Sequence, residues 1–557
     1  MLRWLPAALL LVLSVVPSSS CWSLLPTGWG EGWGWGTSRG ARRFTDENLI
    51  DAGSLELPTD AAAGTVAAWL DWDGDQHLDL VLLAADQRSF AIHTWDRAHF
   101  RFRSTAAASS DFVITNVVPG DFDFDGRIDL LVMGGKNPGG GGGGGWWGGG
   151  AEQDDTTEMR IHLQQPNGTL GEPIMVDPAT LAQPIPFDGD GDMRTDLLGF
   201  SHADPNRLQM WQNSFPPGGG GENGTAVFTL TDAPLDYSTH PSGKFTCRFP
   251  SPHFNAFVDL DGDCLADLFL VCFGGDSEGK HRDDPDQLEY QVWTNSKKRS
   301  SGGGGGPQFV FKREGKLPRG TKGISFGDMD RDGTIDLVVT SCPKPNRQRG
   351  CEISILYNYQ IPLCDSVASP SSSEPCRDPE ALCTADPEFA FTAYQDATRF
   401  QVETVTGGRR LVSRVSSTRF KGSYPLPPQV GDFNIDGYPD LLLVTSDPQR
   451  GNNDGGDRRA QILESVPCSL SSSTAGAVGC SEEDVRNGGR GFRLVTTGAE
   501  ALDQIRDVES ASWVDLDDDG TLDLLVQRSV HSASGAARNP VFIKNNYFHD
   551  AFFLKLQ

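Results

Sequence analysis

Basic residues are scarce in this chain. Its 557 residues include 47 Lys and Arg against 75 Asp and Glu, a formal net charge of −28. Such a surface repels phosphate, which argues against DNA or RNA as a partner. The 10 His are scattered and form no HExxH pair, so zinc-protease chemistry lacks its ligands. None of the 11 Cys stands in a CxxC pair, which leaves zinc-ribbon and thioredoxin-type sites without a basis. Arg-Gly-Asp is absent, so the chain does not advertise itself as an integrin ligand. Long apolar runs are missing too. The longest, Leu5 to Val16, has 12 residues, where a membrane-spanning helix needs about 18 or more.

What is present points to a secreted, turn-rich β protein. Hydrophobic residues make up 38% of the chain, with 30 Phe and 13 Trp, enough to bury a core. The 65 Gly and 35 Pro weigh against a helical bundle. Arg3, the apolar run and the small residues Pro17 to Ser20 form a secretory signal over residues 1–20, with cleavage near Cys21. Lipid attachment at Cys21 is disfavoured, because Ser18 stands where a lipobox wants an aliphatic residue. Residues 21–45 follow as a Gly/Trp-rich linker; the Trp residues within Gly28 to Gly36 suit low-complexity sequence better than a sugar-binding platform. The close spacings of Cys342 with Cys351 and Cys468 with Cys480 make these four disulfide candidates, the other pairings staying open. Asn167 and Asn223 begin N-glycosylation sequons, meaningful in a secreted chain.

One ten-residue phrase organises the rest. It occurs seven times, with the metal loops at 71–79, 121–129, 188–196, 259–267, 328–336, 432–440 and 515–523. Positions 1, 3, 5 and 9 are Asp71, Asp73, Asp75 and Asp79 in the first copy. They are Asp121, Asp123, Asp125 and Asp129 in the second, and Asp188, Asp190, Asp192 and Asp196 in the third. The fourth has Asp259, Asp261, Asp263 and Asp267; the fifth has Asp328, Asp330, Asp332 and Asp336. The sixth reads Asp432, Asn434, Asp436 and Asp440, and the seventh Asp515, Asp517, Asp519 and Asp523. Position 2 is apolar in all but Gly189, so it points inward, and position 10 is always Leu. Position 7 tolerates His77, Arg127, Leu265 or Tyr438 alike, as a backbone carbonyl ligand would permit. Four carboxylates and a carbonyl make an oxygen cage for a hard cation, and calcium fits best.

Glycine at position 6 (Gly126, Gly333, Gly437, Gly520) permits the sharp turn. Copies one, three and four carry Gln76, Met193 and Cys264 there, so these loops are expected to bind more weakly. EF-hands are rejected, because position 12 is never Glu and the flanks are β-type runs such as IDLLVMG. A metal-free acidic turn would suffer uncompensated repulsion. Without the 27 loop carboxylates the net charge of −28 would be −1, so the acidic excess is ligand charge.

Each unit supplies further strands after its loop, for example SFAIHTWD then FRFRS, and finally VFIKNN then AFFLKLQ. Four strands per unit and seven units predict an all-β, seven-bladed β-propeller over residues 46–557, a solenoid needing more regular spacing. Insertions at Gly139 to Gly145, Gly218 to Gly221 and Gly302 to Gly306 fall between strands of single blades, and the stretch from Asp365 to Asp378 lengthens the fifth.

The DxDxDGxxDL loops resemble FG-GAP repeats, as in the integrin α-subunit propeller. FNAFVDLDGDCLADLFL, VGDFNIDGYPDLLLVTS, LESVPC with Cys480, and FIKNNYFHDAFFLK resemble more closely the T-cell immunomodulatory protein (TIP) family, from about Asp46 to Gln557. That resemblance implies a type I cell-surface glycoprotein: an extracellular propeller, a membrane-proximal β domain, one transmembrane helix and a short tail. The last three fall outside these 557 residues, so membrane attachment is expected only through a segment beyond Gln557. It implies a non-enzymatic adhesion or recognition module for a protein or glycan ligand at the cell surface. The rivals are a lectin-like glycan binder and a propeller hydrolase or lyase. A catalytic carboxylate pair should be singular, whereas these carboxylates come in seven equivalent sets.

Overall fold

A computed structural model describes residues 49–58, 64–135, 156–215, 228–274, 284–296, 308–343, 350–361, 376–378, 380, 382–416, 423–448, 457–469, 477–528 and 540–547. The signal segment, the Gly/Trp-rich linker, Asn223, the glycine runs of the insertions, Cys364 and AFFLKLQ lie outside them. Among the described residues no helix is long and apolar enough to cross a membrane.

Seven blade sheets follow one another along the chain, antiparallel except where Leu235–Asp236 runs parallel to Gln308–Lys316 in the fourth, and each Asp-rich loop joins the inner strand of a sheet to its second strand. Blade 1 runs Thr65–Leu70, Asp79–Leu83, Ser89–Asp96, Arg101–Ser109, and blade 2 runs Val113–Gly120, Asp129–Gly135, Thr156–His162, Ile174–Thr180. The first three strands of the remaining blades repeat this order, starting at Ile185, Ala256, Thr321, Gln429 and Val508. Register is the same at every loop: position 9 opens the second strand and faces the last inner-strand residue, as in Leu70 with Asp79 or Gly327 with Asp336. The second strands, such as LVLL and LLVM, are buried throughout, which is why they read as continuous apolar runs rather than alternating ones.

The core is a ring of seven clusters, each shared by two neighbouring blades. Leu70, Trp72 and Val81 of blade 1 pack with Ile114, Leu130 and Val132 of blade 2. The circle closes where Leu80 and Trp95 of blade 1 meet Val514, Leu516 and Phe542 of blade 7. Repeat positions 2 and 10 build these contacts from opposite sides. Phe122, at position 2 of blade 2, shares a cluster with Leu197, at position 10 of blade 3, and Met329 with Leu441, and Phe433 with Leu524. At position 2 of blade 3 a side chain on Gly189 would meet Met210 and Phe187 within 3 Å, which accounts for the one exception.

The seventh blade differs from expectation. Its inner three strands are Val508–Val514, Asp523–Arg528 and Val541–Asn545, but its outer strand is Leu49–Gly53, from the start of the described chain. Leu49 pairs with Asn545 and Asp51 with Ile543. The outer place that the repeat pattern assigned to AFFLKLQ is therefore filled by LIDAG. A circular sheet arrangement needs a closing contact, and this strand supplies it by covering the edge of Val541–Asn545 and becoming the short outer edge itself.

Disulfides stiffen blades 4 to 6. Cys342 is bonded to Cys351 across the second and third strands of blade 5, and Cys468 to Cys480 between the third and outer strands of blade 6. Cys247 is bonded to Cys272, and Cys264, inside the fourth loop, to Cys383 in the long insertion of blade 5.

Candidate metal centres

Every loop folds around its own acidic side chains. The position-1 carboxylate accepts the N–H of position 6 in all seven: Gln76, Gly126, Met193, Cys264, Gly333, Gly437 and Gly520 donate at 2.8–3.1 Å. The position-5 carboxylate accepts the N–H of position 7, from His77 to Asp75 and from Thr334 to Asp332 among others. These turns fix the position-7 peptide whatever its side chain, in keeping with the freedom of that slot in sequence.

Position 6 has a positive φ in all seven loops, 71° at Gln76 and 66° at both Met193 and Cys264. Position 4 does as well: Gly74, Phe124, Gly191, Gly262, Arg331, Ile435 and Asp518 all lie between 54° and 80°. Each loop thus spends one glycine on this left-handed pair, at position 4 in blades 1, 3 and 4 and at position 6 in the others. The non-glycine partner carries strain of about 1 kcal/mol. Loops one, three and four have the same turn as the rest, so the missing position-6 glycine gives no ground for weaker binding there.

The position-9 aspartates are the buried pivots. Asp79, Asp267, Asp336 and Asp440 are fully inaccessible, and Asp129, Asp196 and Asp523 nearly so. One oxygen accepts the N–H of position 2 and the other an N–H at the end of the third strand, as with Met329 and Asn358 on Asp336, both at 2.8 Å. Burial raises these carboxyls from 3.8 to about 7 for Asp79, Asp129 and Asp523, to about 8 for Asp267 and Asp336, and to about 6 for Asp196. Burial thus disfavours the ionised form, which a cation beside it would stabilise.

Third-strand amides carry the pattern onward between blades. Gln164, Asn213, Asn358 and Asn545 each donate a side-chain N–H to the position-2 carbonyl of the preceding blade, Trp72, Phe122, Leu260 and Phe433, at 2.6–3.0 Å. These four are buried. Position 4 also reaches the next loop: Arg194 lies over Phe124, Arg331 lies over Tyr438, and His77 pairs with Asp518 across the closure.

The carboxylates are close enough to share an ion. In loops one to three, positions 1, 3 and 9 bring one oxygen each within 4.8 Å of the others; in loops four and five, positions 1, 3 and 5 do so. Asp123 Oδ1 and Asp517 Oδ1 are buried without a hydrogen-bond partner, as a ligand oxygen would be. This oxygen-only donor set fits calcium, which positions 1, 3 and 9 would hold in loops one to three and positions 1, 3 and 5 in loops four and five. Loop six offers Asn434 at position 3, and Arg490 pairs with Asp436 at 3.2 Å. Of the sequons, Asn167 is exposed, in a turn where its Oδ1 accepts from Thr169 N and Oγ1.

Bracing and ligation separate by mutation. Asp336→Ala orphans two buried N–H groups and is expected to cost roughly 3 kcal/mol with or without calcium. Asp332 is exposed and its partners are local. Asp332→Ala is expected to destabilise only in calcium, which denaturant titrations of both variants, each with calcium and with chelator, would read.

Repeated Asp-rich turns between the inner and second strands of a closed seven-bladed ring define an FG-GAP-type β-propeller protein. An FG-GAP-like repeat model matches residues 40–132. Over 90% of its length the chain is similar to T-cell immunomodulatory proteins: 26% identical to that of rat (Rattus norvegicus) over 520 residues and 25% to the human protein over 517. A T-cell immunomodulatory protein homolog of Plasmodium falciparum is 24% identical over 531 residues. The chain spans about two thirds of these relatives, 66% of the rat and human proteins and 65% of the Plasmodium one. Both this similarity and the disulfides fit the secretory pathway.

Proposed function

We propose that the chain is a non-enzymatic recognition module, displayed outside the cell on a calcium-stabilised propeller, that binds a protein or glycan of a neighbouring cell surface. The observation that carries this reading is the equivalence of the seven acidic loops. All bind their own backbone in one pattern and brace the same inter-blade contacts, so they are scaffold rather than a single reactive centre. The free variables are the connections between strands, where length and composition differ from blade to blade, and rigid scaffolds commonly present binding residues on such loops. Relatives named for T-cell modulation support a role in signalling between cells.

Secreted, fluorescently labelled protein should bind a subset of cell types saturably in millimolar calcium and lose that binding in chelator. Protease treatment of the cells that abolishes binding marks a protein partner, and glycosidase treatment that does so marks a glycan. Absence of saturable binding to every cell type tested would overturn the proposal.

A further inference from the structure

The seventh loop holds a cation of its own. Lys544 is the last third-strand residue before Asn545, and its ammonium contacts Asp517 at position 3 and Asp519 at position 5, the latter at 3.0 Å. Arg127, Arg194 and Arg490 each touch only the position-5 carboxylate of their loops. Third-strand residues at the corresponding place differ: Gln212 donates to Asp190, position 3 of loop three, at 2.6 Å, and brings no charge.

We infer that Lys544 is a built-in counter-ion that replaces calcium in the seventh loop, so that this loop, which stands at the closure of the ring, keeps a positive charge among its carboxylates when calcium is withdrawn. Like charges a few ångströms apart repel, so an ammonium on two of the cage carboxylates weakens a divalent ion in the same cage. Ligands for that ion are otherwise in place. Asp515 receives the N–H of Gly520 as in every other loop, and Asp517 keeps one buried oxygen without a partner. The placement is apt, because the neighbouring Asn545 pairs with Leu49 and bonds Phe433 of blade 6, so the seventh loop adjoins both the closing strand and the preceding blade.

This rests on the calcium reading for the other loops, and two readouts keep the two apart. Calcium stoichiometry is measured by equilibrium dialysis on the wild type, Lys544→Gln and Lys544→Arg; melting temperature is measured on the same three in chelator. Lys544→Gln should bind one more calcium than wild type and melt lower in chelator, with its melting temperature recovered by calcium. Lys544→Arg keeps the charge and should match wild type in both. A Lys544→Gln protein with unchanged stoichiometry, or with an unchanged melting temperature in chelator, overturns the inference. A wild type that binds no calcium fails the calcium reading instead, and the melting temperatures in chelator still decide whether Lys544 acts as the loop's counter-ion.

Discussion

Chelating calcium should lower the melting temperature by on the order of 10 °C, and by more at pH 8 than at pH 5. Extracellular-type sites bind at about 10⁻⁴ to 10⁻³ M, so ~1 mM calcium adds roughly 0.4 to 1.4 kcal/mol per loop by mass action. Six such loops sum to roughly 2 to 8 kcal/mol, comparable with the stability of a typical domain. The pH dependence follows from the position-9 carboxyls. Burial raises them to about 7 or 8 at Asp79, Asp129, Asp267, Asp336 and Asp523 in the cation-free fold, against about 3.9 in the unfolded chain. A raised folded value means that the fold is favoured by the proton. That stabilisation is fully present below pH ~4 and is lost progressively as pH rises from there to the folded values near 7 and 8. Calcium takes over the neutralising role once the carboxylates ionise, so its effect grows over the same window. Calorimetry at pH 5 and pH 8, each with calcium and with chelator, should show a gap that widens with pH. Superimposed melts at pH 8 would show that the loops are acidic turns that need no cation.

The ring of blades was legible because a single phrase marks each one, and because its two apolar positions do the same job every time. Position 2 and Leu at position 10 meet across every blade boundary but the one after blade 3, where position 2 is Gly189, so their near-constancy in sequence reflects one contact made repeatedly. Other features carry no such mark. Position 4 carries no mark in sequence because its residues, from Gly74 to Phe124 to Asp518, share nothing but a left-handed backbone, and its glycine alternates with the one at position 6. The third-strand amides Gln164, Asn213, Asn358 and Asn545 lie 35, 17, 22 and 22 residues after the position-9 Asp they bond. Insertions vary that distance, so no fixed spacing betrays them. The bond between Cys264 and Cys383 joins a loop of one blade to an insertion of the next over 119 residues, and pairing at that range is set by the fold alone.

Removing residues 49–53 should do more damage than deleting any of the glycine-rich insertions. The five residues LIDAG contain one strong hydrophobe at each of two places and no repeat motif, which is why the sequence pattern put the seventh blade's outer strand elsewhere. In the structure they pair along Val541–Asn545, and Leu49, only 3% exposed, packs with Val508, Leu524 and Ile543 in the cluster between blades 6 and 7. Burying such a leucine contributes roughly 2 kcal/mol, and the backbone bonds of the strand add to it. The larger consequence is topological. Without this strand the third strand of blade 7 becomes an exposed edge, and the clusters on either side of that blade lose the element that joins the chain's two ends. Calcium cannot compensate, because a cation in the acidic loops supplies neither the backbone bonds along Val541–Asn545 nor the apolar contacts of Leu49. Deletion of 49–53 should therefore abolish the cooperative melt and drive association through the bared edge, in calcium and in chelator alike. Shortening the 139–150 insertion should leave the melt near wild type. Light scattering and calorimetry on the two deletions decide it: a cooperative, monomeric melt after loss of 49–53 would mean that the ring holds without its closing strand.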